Sequence, residues 1–165
     1  MTELSLRALK TPFIAIAFFL LVSPAFARIG ETEQQIEKRY GKSTLTVSTG
    51  NEPLQKVYQS SGLNITVTYL DGVSQREIFT KQDGSSELSK NEIAILLEAN
   101  AAGSKWIEDP TATSLTGIQG WKLESGGRTA AFSRDKTRLV ITTDLVQKVF
   151  NQRKAEDEKE KLKGF

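Results

Sequence analysis

The chain has 165 residues, of which 38% are hydrophobic and 25% charged, with a formal net charge of +2. This is the composition of a globular protein, long enough for one domain or two small halves sharing a core, and it offers no clustered basic face for nucleic acid. Histidine and cysteine are both absent. That removes Ser-His-Asp and Cys-His catalysis, His- or thiolate-bound metals, disulfides and lipid attachment through cysteine.

Residues 1–27 read as a secretory signal peptide. Arg7 and Lys10 form a positive start, Phe13 to Val22 an apolar run, and Ser23-Pro24-Ala25-Phe26-Ala27 a small-residue cleavage site, with the cut expected between Ala27 and Arg28. The apolar run is too short for a spanning helix, which needs about 20 residues. No stable membrane insertion is therefore expected after cleavage, and a periplasmic or secreted location is.

The first unit spans 28–86. Thr32 is a helix N-cap, with Gln35 three residues on to complete a capping box. Ile36 and Tyr40 share a face, and Gly41 is placed to end the helix. Residues 42–53 read as a loop holding a short strand at Leu45–Val47. A meander follows: Leu54–Gln59, then Leu63–Leu70 with apolar/polar alternation from Leu63 to Tyr69, then Val73–Thr80 after the hairpin pair Asp71-Gly72.

The second unit spans 87–144. Ser89 and Glu92 make another capping box, with Leu88 and Ile93 as a hydrophobic staple. Ile93, Leu96, Leu97 and Ala101 form the helix's core stripe. Residues 104–117 read as a long surface loop. Strands are expected at Ile118–Glu124, Arg128–Ser133 and Thr137–Thr143. A C-terminal helix and charged tail occupy 145–165, capped by Asp144 and frayed after Gln152. The expected fold is thus α+β, two tandem helix-plus-three-strand antiparallel units (αβββ-αβββ) and a final helix.

The pattern Gly30-x-Thr32-x-x-Gln35-Ile36-x-x-x-Tyr40-Gly41 resembles the helix signature of small outer-membrane-assembly lipoproteins of the SmpA/OmlA (BamE-like) type. Those proteins and the related β-lactamase-inhibitor-protein-like modules set such a helix before a three-stranded antiparallel sheet. The resemblance implies a non-catalytic bacterial module that binds another protein. The chain departs from it at Ser43, where proline is usual, and in lacking the lipid-bearing cysteine, so a lipid tether is not implied.

The candidate chemistry is sparse. Gly41-Lys42-Ser43 lacks the upstream glycine of a phosphate-binding loop, and Asn64-Ile65-Thr66 is an outward-facing strand segment before it is a glycosylation acceptor. Glu31, Glu37, Asp71, Asp83, Glu108 and Asp109 are the carboxylates available to a glycosidase-like acid–base pair. Trp106 and Trp121 are the candidate partner-binding residues, because tryptophan is enriched at binding hot spots. Trp121, alternating with Leu123 on a strand, fits a core position better, whereas Trp106, in a loop just after a helix end, fits a core lid and an exposed site equally. Arg128, Arg134 and Arg138 read as solvated strand-edge charges. The expected function is a non-enzymatic, protein-binding exported module of unknown partner and oligomeric state, with no metal or cofactor. The alternative is a carboxylate-dependent hydrolase acting on cell-envelope glycan or peptide. The first predicts a shallow surface, the second a cleft lined by paired carboxylates with shifted pKa values.

Overall fold

Alternation with a period of two over 54–81 forces one face of each strand into an apolar layer, and the chain meets that demand with a single sheet. The computed structural model describes residues 29–48, 52–110 and 117–164. Within them, in chain order, are α1 (Glu33–Tyr40), β1 (Leu45–Val47), β2 (Leu54–Ser60), β3 (Leu63–Leu70), β4 (Val73–Lys81), α2 (Lys90–Ala99), β5 (Trp106–Glu108), β6 (Gln119–Leu123), β7 (Arg128–Phe132), β8 (Arg138–Thr143) and α3 (Asp144–Lys161). The fold is α+β. The expected leader lies outside the described residues.

All eight strands join one antiparallel sheet in the order β1-β2-β3-β4-β8-β7-β6-β5. Each half is therefore a helix followed by a four-strand meander rather than a three-strand one. The two meanders meet where β4 pairs with β8. The extra strand in each half is a three-residue edge, β1 in the first and β5 in the second. Residues 104–117 were expected to be loop, but Trp106 to Glu108 pair there with Leu123 to Trp121. Three residues are too few to display alternation, so this strand exists through its neighbour rather than through its own pattern.

Both capping boxes form. The Thr32 and Ser89 side chains accept the backbone N–H of Gln35 and Glu92, and those side chains accept the N-cap amides in return. Gly41 ends α1 at φ 87°, a left-handed value that glycine reaches without a Cβ penalty. The last helix is capped by Thr143 rather than Asp144, because the Thr143 backbone is extended and its hydroxyl accepts from Val146. It continues past Gln152 to Lys161.

Helices α1 and α2 lie side by side on one face of the sheet. Ile36 and Tyr40 of α1, Ile93, Leu96 and Leu97 of α2, and Tyr58, Ile65, Val67, Tyr69, Phe79, Leu139 and Ile141 of the strands form one buried cluster. Helix α3 takes the other face, where Phe150 stacks on Arg76, but its long charged half stays exposed. A β-bulge between Thr68 and Tyr69 of β3 and the facing segment of β4 separates the two faces' roles. Thr68 pairs with Arg76 and Tyr69 with Ser74, so Gln75 is the extra residue. Ser74 thereby faces the helix layer, where its hydroxyl accepts the Gly30 and Glu31 amides at 3.0 and 3.1 Å, while Arg76 faces α3.

Candidate functional site

On the helix-covered face, the candidate Glu31 and two further carboxylates, Glu33 and Glu92, are committed to ion pairs. Glu31 pairs with Arg39, Glu33 with Lys56 and Glu92 with Lys81. Lys81 and the Ser89 cap together hold the Glu92 carboxyl below its ordinary pKa. The Glu31 hydrogen bond, outweighing burial, raises the Arg39 guanidinium's pKa. Elsewhere, Asp109 pairs with Lys122 at 2.7 Å, and Glu108 accepts from Gln119 at 3.0 Å. Asp83 accepts from Ser86 and Ser85 in a turn, which lowers its pKa, and Asp71 sits in the β3–β4 hairpin at φ 52°. Glu37 is partly buried. Each of these carboxylates thus stabilises a turn, a cap or an ion pair, apart from Glu37.

A half-open groove of about 350 Å³ runs between α1 and α2 over the end of β3. Its floor is apolar, with Leu63, Ile65 and Leu96, and its rim carries Arg39, Glu92 and the exposed Ile95. Glu92 is the one carboxylate lining it. Among the described residues, no group of three or more Asp or Glu side chains is placed to hold a metal ion. No described helix is long and apolar enough to cross a membrane.

The tryptophans are drawn inward. Trp121 is 8% exposed within the core, and Trp106 packs partly buried against the same cluster, donating its indole N–H to the Leu97 carbonyl at 2.7 Å. That bond closes the C-terminal end of α2, where helix carbonyls lack partners. The two side chains lie near each other, because Trp106 pairs with Leu123 and Trp121 with Glu108 on adjacent strands.

Of the three arginines read as strand-edge charges, Arg134 is exposed in the β7–β8 turn, and Arg128 and Arg138 take separate roles. Strands β7 and β8 are interior to the sheet; its edges are β1 and β5. Arg128 is half buried and donates to the backbone carbonyls of Asn100 and Ile29 at 2.9 and 3.0 Å. Burial lowers its pKa and the fully buried Glu77 raises it again. Asn100, itself fully buried, accepts the Ile29 amide at 3.2 Å and donates to the Leu96 carbonyl at 3.1 Å. Arg128 and Asn100 thus clamp the first described residues of the chain against the end of α2.

Arg138 belongs to a second groove, of about 280 Å³, on the α3 side of the sheet. Arg76 and Arg138 flank it, Ala131 and Val140 line its floor, and Thr129 and Gln147 add polar groups. Arg76 was not singled out by its sequence position in a return strand. The bulge that aims it is a matter of pairing between strands, and one strand's sequence does not display it.

No family model matches the chain, and no curated protein matches it. Among solved structures, a cysteine-rich secretory protein from Staphylococcus aureus aligns at 8% identity and a TM-score of 0.43, over 72% of this chain and 46% of that one. A DUF4309 family protein (YjgB) from Bacillus subtilis aligns at 10% identity and a TM-score of 0.36, over 69% of this chain and 79% of that one. The chain therefore spans less than half the length of the staphylococcal protein. Both likenesses are too slight to assign a family or a function.

Proposed function

We propose that the chain is a non-catalytic binding module that works outside the cytoplasm and engages a protein partner through the α3 side of its sheet. The observation that carries this reading is the use made of the carboxylates. A glycan or peptide hydrolase of this composition needs an acid and a base on either side of one bond. Here the groove between α1 and α2 offers Glu92 alone, already bonded to Lys81 and to the Ser89 amide. By contrast, the α3 side presents apolar side chains to solvent at both of its edges, with Leu45 55%, Val47 41% and Ile107 52% exposed. Leu45 and Val47 lie two residues apart on one face of β1, and a contiguous exposed apolar edge of this kind suits an interaction face. The leader-like residues 1–27 and the resemblance of Gly30–Gly41 to the SmpA/OmlA helix support the same reading.

The test has two arms. The purified exported chain is incubated with cell-wall sacculi, and release of soluble fragments is measured; none is expected. A photo-crosslinking residue is placed at Val47 in cells, with the exposed Lys38 on α1 as control. A discrete adduct at Val47 and none at Lys38 is expected. Fragment release that disappears in Glu92→Gln would establish the hydrolase instead. Equal labelling at both positions would remove the sheet face from the proposal.

A further inference from the structure

Arg76 stands apart from the other charged residues of this fold. It lies on β4, next to the middle of the sheet, and its Nε is buried with no hydrogen-bond partner among the described residues. No ion pair or side-chain hydrogen bond satisfies its guanidinium there, although that group carries five N–H donors. Among the described residues, the attractive contact its guanidinium makes is with the Phe150 ring, whose centroid is 5.3 Å from the guanidinium carbon. A ring face attracts the cation but takes none of the in-plane N–H donors. Desolvating a charge without a hydrogen-bonding partner is costly, so buried polar groups are nearly always satisfied.

The surroundings deepen the deficit. Burial lowers the Arg76 pKa first, and the positive charge of Arg138 lowers it further, with no carboxylate acting in the opposite direction. Arg76 pairs with Thr142 and Arg138 with Thr80, so both arginines project from the same face of the β4–β8 pair. Their Cα atoms are separated by four residues along the strand, roughly 13 Å at the rise of an extended chain. Both side chains line one groove together with Val140. The carboxylate beside Arg138, Asp135, is engaged within its own hairpin. It accepts from the Ser133 hydroxyl, from the Thr137 amide at 3.2 Å and from the Thr137 hydroxyl at 2.9 Å. Hydroxyl and amide groups of Thr129, Thr142 and Gln147 complete a wall without an acidic side chain.

We propose that this groove is an oxyanion site, in which Arg76 and Arg138 together bind a phosphate or carboxylate group whose short apolar body rests on Ala131 and Val140. The geometry suits such a group on three counts. Guanidinium donors match paired oxygens, bidentate pairing adds direction, and the partial burial of Arg76 keeps competing water away. The inference stands independently of the protein-binding reading, because a free anion fills the groove as readily as one carried by a larger molecule.

The experiment is calorimetric titration of the exported chain at constant ionic strength with inorganic phosphate and, separately, with propionate. Flotation with phosphatidylcholine vesicles, with and without phosphatidylglycerol, forms a third arm. Saturable binding of phosphate or propionate is expected, weakened about tenfold in Arg138→Gln and at least as much in Arg76→Met. Binding confined to phosphatidylglycerol vesicles, with the same dependence on both arginines, supports the site and places the oxyanion in a lipid headgroup. Arg138 is exposed, so Arg138→Gln keeps its fold and remains decisive if Arg76→Met loosens α3. Absence of saturable binding in all three arms overturns the proposal, as does binding of equal strength in wild type and Arg138→Gln.

Discussion

On the helix-covered face of the sheet, Glu33 meets Lys56, Glu92 meets Lys81 and Glu31 meets Arg39. On the opposite face of the same strands, Arg76 and Arg138 share a groove with no acidic side chain on its walls. Packing differs in the same sense. Phe79 is fully buried under α1 and α2, whereas its neighbour Ile78, pointing the other way, is only partly covered. A face whose charges are matched and whose apolar groups are buried holds the fold together. The proposed binding falls on the face where two arginines share a groove without a carboxylate and the apolar groups are half covered.

The largest expected contrast is between those two adjacent residues. Phe79→Ala removes a ring from the centre of the core and is expected to cost about 4 kcal/mol, enough to unfold a marginal domain. Ile78→Ala is expected to cost about 1 kcal/mol, because only part of its surface leaves water on folding. Urea unfolding of the two variants measures both. Similar losses would mean that α3 and its surroundings bury the second face as fully as the first.

Next comes the clamp on the chain's beginning. Asn100→Ala leaves the buried Ile29 amide without its acceptor and is expected to cost about 2 kcal/mol. Protection of the Ile29 and Gly30 amides in hydrogen exchange should fall with it. An unchanged exchange rate would show that the Ser74 contacts alone hold this segment.

Ser89→Ala removes one half of the α2 capping box, at an expected cost of about 1 kcal/mol. The other half gives a pH signature. The folded-state pKa of Glu92 lies below its unfolded value, so its contribution is present above the unfolded pKa of about 4.3 and is lost as pH falls through the folded value. Thermal midpoints taken from about pH 5 down to about pH 2.5 should therefore fall less steeply in Glu92→Gln than in wild type. Parallel slopes would remove Glu92 from the acid limb.

The smallest effect is expected from the tail. Chain truncated after Arg153 loses the exposed Lys154–Glu158 pair and little else, so its stability should stay within about 0.5 kcal/mol of wild type. A larger loss would show that the charged half of α3 rests on something.

These contrasts follow how much of the molecule its residues announce. Capping boxes are local and chemically specific, and Thr32–Gln35 and Ser89–Glu92 were legible in full. Leu63–Leu70 alternates because one side is core, and the strand matches residue for residue. Of the two edge strands, β1 was read at Leu45–Val47, whereas β5 was not, since it is held by pairing to β6 and carries almost no pattern of its own. The site was less legible than the fold. Trp106 and Trp121 attracted notice by residue type, yet both pack against the core. Arg76 became notable only once the bulge at Gln75 and the ring of Phe150, 74 positions away in the chain, were brought beside it.

The division of labour between the two faces is tested most directly by amide NMR of the chain from Arg28 onward during a phosphate titration at constant ionic strength. The account predicts saturable shifts centred on Arg76, Arg138, Thr142 and Gln147, with Arg39, Tyr40 and Glu92 unmoved. Shifts centred on the groove between α1 and α2, or spread evenly over lysines and arginines of both faces, would contradict it.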